Sequence, residues 1–457
     1  MATKPYKYQR QGVKAIKRFG GRALLADEMG LGKTLQILRW WKWLRKRMPK
    51  WNRRPLVVVC PASLKYEWQA QAHLHINAPA EVLEGMTPNT DNAMSEHSQI
   101  VIVNYEILKA WMTFLKSIHP IAIAIDECHY LGNPKTQRTK NTRRLCQGVP
   151  HVIAASGTPL TNRPAELWPT LNIIRPDVWS SFHPYAVKHC QPELGPWGWT
   201  FRGATKTKQL NKKLRRTCMI RRRKVDVLKD LPDKIRSVVT LPIERVDEYQ
   251  HAERDFIGWL MKQNAARAHR AKRAQRMVRM GYLKRLVGEL KLQAVVDWTK
   301  EFLTSENKLV LFALHTPIIE RLSSEFVGRS VTISGKTKNK KRPKLVKQFQ
   351  TDPRCQLFIG QTKAAGVGLT LTAASHVAIA EFGWTPGEHT QAEDRTHRIG
   401  QHNSVNSYWL IGRGTIESKL CRLLQDKQRV LTNVLDTGIN VDNLDVFDLL
   451  EKELLNG

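Results

Sequence analysis

A chain of 457 residues exceeds what one hydrophobic core serves, because single cores stop growing at roughly 250–300 residues, so two or three domains are expected. Hydrophobic residues make up 42% of it and aromatic residues 8%, which excludes a disordered chain, and no apolar run approaches the roughly 18 residues of a membrane span. Lysine and arginine number 74 against 40 aspartates and glutamates, a net charge of +34 that favours a polyanionic partner, nucleic acid ahead of an acidic membrane surface.

The first apolar run, Arg22–Ala26, reads as a buried strand and leads into Asp27-Glu28-Met29-Gly30-Leu31-Gly32-Lys33-Thr34, which opens a helix. Glycines there let backbone N–H groups approach a phosphate, Lys33 reaches the terminal phosphates, and the Thr34 hydroxyl suits magnesium. The general P-loop pattern asks for glycine at position 27, where this chain has Asp. On the helix that follows, Trp40, Trp41, Trp43 and Trp51 stand among Arg and Lys; core packing with an amphipathic fringe is expected of them rather than base stacking.

Further short runs rich in Val and Ile follow at Leu56–Cys60, Ile100–Val103, Ile121–Ile125 and His151–Ala155, the pattern of a parallel sheet covered by helices. The run Ile121–Ile125 ends in Asp126-Glu127-Cys128-His129. Two carboxylates at the end of a buried strand are costly unless they meet a cation or a reaction; Asp126 suits magnesium, and Glu127 suits orienting or deprotonating a water. Ser156-Gly157-Thr158-Pro159 closes the next strand as a turn.

Residues 162–230 hold Trp and Pro early and a basic stretch, Lys206–Lys229; residues 245–291 read as long helix, strongly basic over Lys262–Lys291. A second set of strand-like runs comes at Leu309–Leu314, Val331–Ser334, Gln356–Ile359 and His376–Ala380, with the basic run Lys336–Lys347 and the glycine-rich Lys363–Gly368 among them. In Gln391-Ala392-Glu393-Asp394-Arg395-Thr396-His397-Arg398 two arginines three apart are expected on one helical face, and a guanidinium suits charge building on a transferring phosphoryl group. The seven cysteines stand singly with no C-x-x-C pair, which suits a reduced intracellular protein without structural zinc, and the N-terminus has no apolar signal region.

Taken in this order, the motifs resemble those of the Swi/Snf-type ATPases of helicase superfamily 2, over roughly residues 6–435. Tyr8–Val13 resembles the family's Q motif with Gln9 in the adenine-reading place, Asp27–Thr34 its motif I with the Asp included, and Val59–Leu64 its motif Ia. Val103-Asn104-Tyr105 resembles the motif that follows. Asp126–His129 is similar to motif II, Ser156–Pro159 to motif III, Gln361–Leu371 to motif V, and Gln391–Gln401 to motif VI. Leu231-Pro232-Asp233-Lys234 and Glu381–Gly387 resemble the annealing-helicase, fork-remodelling branch, here as a minimal motor core that suits a bacterium or a virus of bacteria.

The resemblance implies an α/β chain of two RecA-like parallel-sheet lobes with helical insertions: lobe 1 at 1–235 with an insertion at about 162–230, and lobe 2 at 236–457 with a basic helical insertion at about 243–290. It implies ATP and Mg²⁺ in a cleft between lobes. Gln9, Asp27, Glu28, Met29, Gly30, Leu31, Gly32, Lys33 and Thr34 are expected to bind ATP, Thr34 and Asp126 the metal, and Glu127, Gln391, Arg395 and Arg398 to be catalytic. Ser63, Lys65, Thr362, Lys363 and Trp384, with Arg270, Arg273 and Arg276 from the basic helix, are expected to meet DNA. The expected activity is DNA-stimulated ATP hydrolysis by a cytoplasmic or nucleoid-associated monomer that translocates on double-stranded DNA, forked or branched DNA included, without a membrane. Its rivals are a strand-separating DNA or RNA helicase and, from another class, a nucleic-acid clamp that binds ATP without turning it over.

Overall fold

The computed structural model describes residues 4–49, 52–88, 98–160, 163–195, 198–201, 203–264, 269–305, 307–365 and 369–436, with Leu450 and Leu454. They fall into two compact units: the first takes the described residues up to Asp230 together with Val430–Asp436, the second Leu231–Arg429 with Leu450 and Leu454. The expected boundary lay at 235/236; the strand that begins at Lys234 already pairs within the second sheet.

In the first unit the strands are β1 (Arg22–Leu25), β2 (Leu56–Cys60), β3 (Ala80–Val82), β4 (Ile100–Asn104), β5 (Ala122–Asp126) and β6 (His151–Ala155). A separate hairpin, β7 (Pro192–Gly195) and β8 (Gly198–Phe201), precedes β9 (Met219–Ile220). The main sheet has the order β3-β4-β2-β5-β6-β1-β9, and every pairing in it is parallel. Strands β2, β4 and β5 are buried along their whole length, as a parallel sheet covered on both faces requires. The carboxyl ends of β5 and β6 immediately precede Glu127 and Ser156, and only Ala26 separates that of β1 from Asp27, so the three motifs gather at one edge of the sheet.

The core of this unit takes Leu24, Val57, Val101, Ile123 and Val152 from the sheet and Trp168, Leu171 and Trp179 from the segment that follows Pro159. The stretch 162–230 is therefore more than a helical insertion. It holds the β7–β8 hairpin, and its last strand, β9, pairs with β1 inside the main sheet. Trp40 and Trp41 are buried, whereas the half-buried Trp43 packs under the cations of Lys17 and Arg47; Trp51 lies outside the described residues.

The second unit holds β10 (Lys234–Leu241), β11 (Leu309–Ala313), β12 (Ser330–Ile333), β13 (Leu357–Gln361), β14 (His376–Ile379) and β15 (Val405–Gly412) in the order β10-β15-β14-β11-β13-β12, again all parallel. The stretch 245–291 forms two helices, Val246–Asn264 and His269–Leu290, rather than one. Tyr249, Phe256, Met280, Leu283, Leu286 and Val287 bury these helices against β11, β13 and β14, so their apolar stripes belong to the core even though the segment is basic. The two sheets give the expected α/β architecture of two RecA-like lobes. All seven cysteines are buried and unpaired. Among the described residues no helix is long and apolar enough to cross a membrane.

Candidate active site

In the first unit, Gly30 (φ 81°) and Gly32 (φ 69°) take the left-handed conformation that turns the chain from β1 into the helix Lys33–Arg47. Lys33 and Thr34 occupy the first turn of that helix, where the helix N-terminus and its dipole favour an anion. Lys33 Nζ donates to the carbonyls of Asp27 (2.9 Å) and Glu28 (3.2 Å). The buried Gln9 is held against this loop: its amide donates to the Leu31 carbonyl at 3.2 Å, and its oxygen accepts the Tyr6 N–H at 2.9 Å.

Asp27 and Glu28, expected among the nucleotide ligands, have side chains engaged within the protein. Asp27 is fully buried and accepts from the Arg222 guanidinium at 2.9 and 2.5 Å and from Gln36 Nε2 at 3.0 Å. Arg222 also donates to Gln36 Oε1 and to the Tyr8 carbonyl. Glu28 accepts the Lys224 N–H at 2.6 Å. A buried carboxylate needs such partners, and these two tie the phosphate loop to the chain just after β9. The Asp at position 27 thus has a structural reason that the bare P-loop pattern does not contain.

At the end of β5, Asp126 is buried; Trp68 Nε1 donates to it at 2.8 Å and the Glu127 N–H at 3.0 Å. Burial first, and then the neighbouring Glu127, raise its pKa to about 6, against the pull of the Trp68 hydrogen bond and of Lys33. Glu127 has φ 49° and ψ 50°, a left-handed conformation unusual for a residue with a side chain, and sparsely populated geometry of this kind collects at functional sites. His129 Nδ1 lies 3.3 Å from Glu127 Oε2 and 3.0 Å from Ser156 Oγ; the Ser156 hydroxyl donates to Glu127 at 3.4 Å and accepts the Thr158 N–H at 3.1 Å. The motif after β6 is thereby joined to the carboxylate after β5. Gly157 presses closer still: a Cβ there would stand 2.3 Å from Met29 Cγ and 3.2 Å from Lys33 Nζ. Sequence reading singled out neither His129 nor Ser156 as a partner of Glu127, although both stood in quoted motifs.

The chemistry of these donors fits a magnesium nucleotide. Asp126 and Thr34 supply hard oxygens of the kind Mg²⁺ prefers, and the glycine turn, the helix N-terminus and Lys33 supply an anion cradle.

In the second unit the helix Pro386–Glu393 stops before the two arginines, which correct the expectation that they share a helical face. The Arg395 and Thr396 N–H groups bond three residues back, to the Ala392 and Glu393 carbonyls, and the Thr396 hydroxyl takes Glu393 O as well, so the last turn tightens and the helix ends. Arg395 and Arg398 nevertheless converge: both donate to the Leu369 carbonyl, at 3.3 and 3.0 Å, and Arg395 Nε donates to Gln391 O at 2.9 Å. Gln391 and Arg395 are buried and Arg398 is half-buried.

What anchors this turn lay outside the sequence reading. Glu393 is fully buried and accepts from Lys234 (3.0 Å), Arg236 (2.6 and 2.8 Å), Ser407 (2.8 Å) and Trp409 (3.1 Å). Lys234 also meets Asp394 at 3.1 Å, and His397 Nε2 bonds the Pro232 carbonyl at 2.8 Å. In the motif Leu231–Lys234, Lys234 is a counter-ion of the arginine turn.

The expected DNA contacts fare unevenly. Ser63 is half-buried in a short turn before the helix Lys65–Ile76. Lys65 and Thr362 point inward: Lys65 Nζ donates to Leu83 O at 2.7 Å, closing the end of β3, and the Thr362 hydroxyl donates to Ala313 O at 3.1 Å. Trp384 is half-buried with the Lys284 ammonium 3.9 Å over its ring. Lys363 lies in the short helix Thr362–Ala365, and Arg270, Arg273 and Arg276 on the helix His269–Leu290; their side chains lie outside the described ones, as do residues 366–368.

Residues 8–295 match the SNF2-related domain, and residues 291–400 match the helicase conserved C-terminal domain. The chain is 33% identical over 430 residues to the SWI/SNF-related matrix-associated actin-dependent regulator of chromatin subfamily A-like protein 1 of Xenopus tropicalis, covering 93% of this chain and 44% of that protein. It is 32% identical over 454 residues to the mouse DNA annealing helicase and endonuclease ZRANB3, covering 95% of this chain and 41% of that protein. It thus spans less than half the length of either. Among solved structures it is similar to the Sulfolobus solfataricus SWI2/SNF2 ATPase core in complex with dsDNA, at 22% identity and a TM-score of 0.45, covering 100% of this chain and 98% of that one. By its match over residues 8–295, the chain belongs to the SNF2-related domain family.

Proposed function

We propose that the chain is a DNA-dependent ATPase that translocates on double-stranded DNA and remodels DNA or DNA–protein structures, forks and annealing strands among them. The observation that carries this reading is the joining of three motifs in the first unit: Lys33 on the phosphate loop, Asp126 and Glu127 after β5, and Ser156 and Gly157 after β6. Lys33 meets the terminal phosphates, and Glu127, held by His129 and Ser156, orients the attacking water and takes its proton. Thr34 and Asp126 would hold Mg²⁺, which when bound neutralises phosphate charge. Arg395 and Arg398, which converge on the Leu369 carbonyl, would add stabilisation of the charge building on the transferring phosphoryl group. A clamp that does not turn ATP over would need one of these groups broken, and Lys33, Asp126, Glu127, Arg395 and Arg398 are all present.

The relatives' names speak of DNA annealing and chromatin, and the net charge of +34 suits a duplex held by its phosphates. With ~6–10 phosphate contacts, binding drops ~10³–10⁵-fold between about 50 and 200 mM salt. The reading includes a monomer in the cytoplasm or on the nucleoid, in keeping with seven unpaired cysteines.

The test is the ATPase rate with duplex, single-stranded and forked DNA and with RNA, together with displacement of a third strand from a triplex. Duplex stimulation and triplex displacement without unwinding of a plain fork are expected. Glu127→Gln is expected to abolish turnover while ATP still binds, whereas Lys33→Ala weakens nucleotide binding too. Stimulation by RNA alone, or vigorous unwinding of the plain fork, overturns the translocase reading; a Glu127→Gln protein with near wild-type turnover overturns the assignment of the base.

A further inference from the structure

Behind the carboxylate motif, wholly within the first unit, lies a cavity of about 540 Å³, inside the roughly 300–1,000 Å³ range of small-molecule sites. Its lining includes His129, Tyr130, Phe182 and Phe201, with Arg163 and Glu166. The aromatic rings are braced rather than loose. Phe182 and Phe201 pack edge to face at 5.6 Å, and Tyr130 stacks on Tyr105 at 5.7 Å. Arg163 and Glu166 lie 3.7 Å apart, with hydrogen-bonding groups of both kinds.

The β7–β8 hairpin extends this wall. Phe201 and Trp199 lie two apart on one strand and so share a face, and Leu194 stands directly opposite Trp199. Phe201 lines the cavity, while Trp199 and Leu194 on the same hairpin are 52% and 72% exposed. The next helix, Thr207–Thr217, carries Lys208, Lys212, Lys213, Arg215 and Arg216 exposed and no acidic residue. Aromatic rings combined with cations are the chemistry that binds unpaired nucleotides, bases on the rings and phosphates on the charges.

We propose that this cavity receives one unpaired base of the DNA substrate and that its occupancy is communicated to Glu127 through His129. The inference rests on the DNA-motor reading above and names the feature of the DNA that the motor senses. His129 belongs to both places: its ring lines the cavity, and its Nδ1 lies 3.3 Å from the Glu127 carboxylate and 3.0 Å from Ser156. A base against that ring changes how the hydrogen bonds of Glu127 are shared. A paired base would first have to be unstacked, so the site favours bulged, gapped or forked DNA over plain duplex.

The experiment compares three duplexes of one sequence: fully paired, with a single bulged adenine, and with a bulged abasic residue that keeps the kink without the base. One base–aromatic stack is equivalent to roughly a 5- to 150-fold change in affinity, so the adenine bulge is expected to bind tighter than the abasic bulge by that factor and to give a higher kcat at saturating DNA. Phe201→Ala removes one ring of the lining, and Ala165→Phe adds bulk at another lining position. Both variants are expected to lose the adenine-over-abasic preference while keeping stimulation by the fully paired duplex. Equal affinity for the two bulges in the wild-type protein, or a preference that survives both variants, overturns the site; equal kcat at saturation overturns the link to Glu127. Failure of the paired duplex to stimulate the wild-type protein counts against the DNA-motor reading instead, because the affinity comparison needs no hydrolysis.

Discussion

Replacing Glu393 by Gln tests whether the arginine turn is held by charge. The glutamine keeps the shape and one acceptor oxygen but leaves Lys234 and Arg236 without the anion that now accepts from them at 2.6–3.0 Å. Breaking a buried ion pair by removing one partner costs about 3–5 kcal/mol; because Asp394 still faces Lys234 at 3.1 Å, the expected loss is about 3 kcal/mol, the low end. With m near 1–3 kcal/mol per molar urea, the unfolding midpoint of the second unit should fall by roughly 1–3 M at unchanged m. Acid gives a second arm. Burial alone would raise the Glu393 pKa, but Lys234 and Arg236 outweigh it and hold the group well below the usual carboxylate range. A depressed pKa contributes stability that is present above the unfolded value, near 4.3, and is lost as pH falls toward the folded one. The gap between wild type and variant should therefore narrow below about pH 4. A midpoint shift equivalent to less than about 1 kcal/mol at neutral pH, or a gap that widens in acid, refutes the reasoning.

Gly157→Ala drives a methyl group to 2.3 Å from Met29 Cγ and 3.0 Å from the Met29 nitrogen, so it should raise the KM for ATP and cost about 1–3 kcal/mol of stability, read from nucleotide titration and thermal melting. Burial lowers the Lys284 ammonium to about 8, with Glu417, Glu388 and Glu381 offsetting only part. The native state thus binds fewer protons than the unfolded one between about pH 8 and 10, and stability should rise over that window; Lys284→Met should remove the rise and melt higher at pH 7. Arg398→Ala should collapse kcat by ~10³–10⁵ while duplex binding persists, and loss of DNA binding with intact hydrolysis would instead assign this arginine to the DNA path.

The strands buried on both faces were legible because their signal is composition alone: Val, Ile and Leu runs such as Leu56–Cys60 and Ile121–Ile125 need no partner to be recognised. β10 escaped notice because it is largely exposed, and β15, though mostly buried, because Asn406 and Ser407 interrupt its apolar residues; Tyr408-Trp409-Leu410-Ile411 was the available signal. In the active site, the residue types of Lys33, Asp126 and Glu127 declared themselves through spacing. Arg222, Lys234 and Trp68 did not, because each serves a carboxylate far away in sequence, and such pairs exist only once the sheet is built. Lys65 and Thr362 were ambiguous for the complementary reason: a polar side chain beside a motif is equally suited to capping a nearby carbonyl, and only the fold shows the bonds both make to Leu83 and Ala313.

The buried thiols make the protein its own reporter of opening. Burial pushes Cys146 and Cys190 up to about 12 and Cys218 and Cys421 to about 11, so at neutral pH they are doubly shielded, by packing and by the scarcity of thiolate. An alkylating reagent therefore reacts only as fast as the surrounding structure breathes. Cys60, Cys128, Cys146, Cys190 and Cys218 sit in one unit and Cys355 and Cys421 in the other. Mass spectrometry of the alkylated peptides would time the breathing of each unit separately in an unmodified chain, with Cys128, next to Glu127, reporting on the catalytic strand end itself.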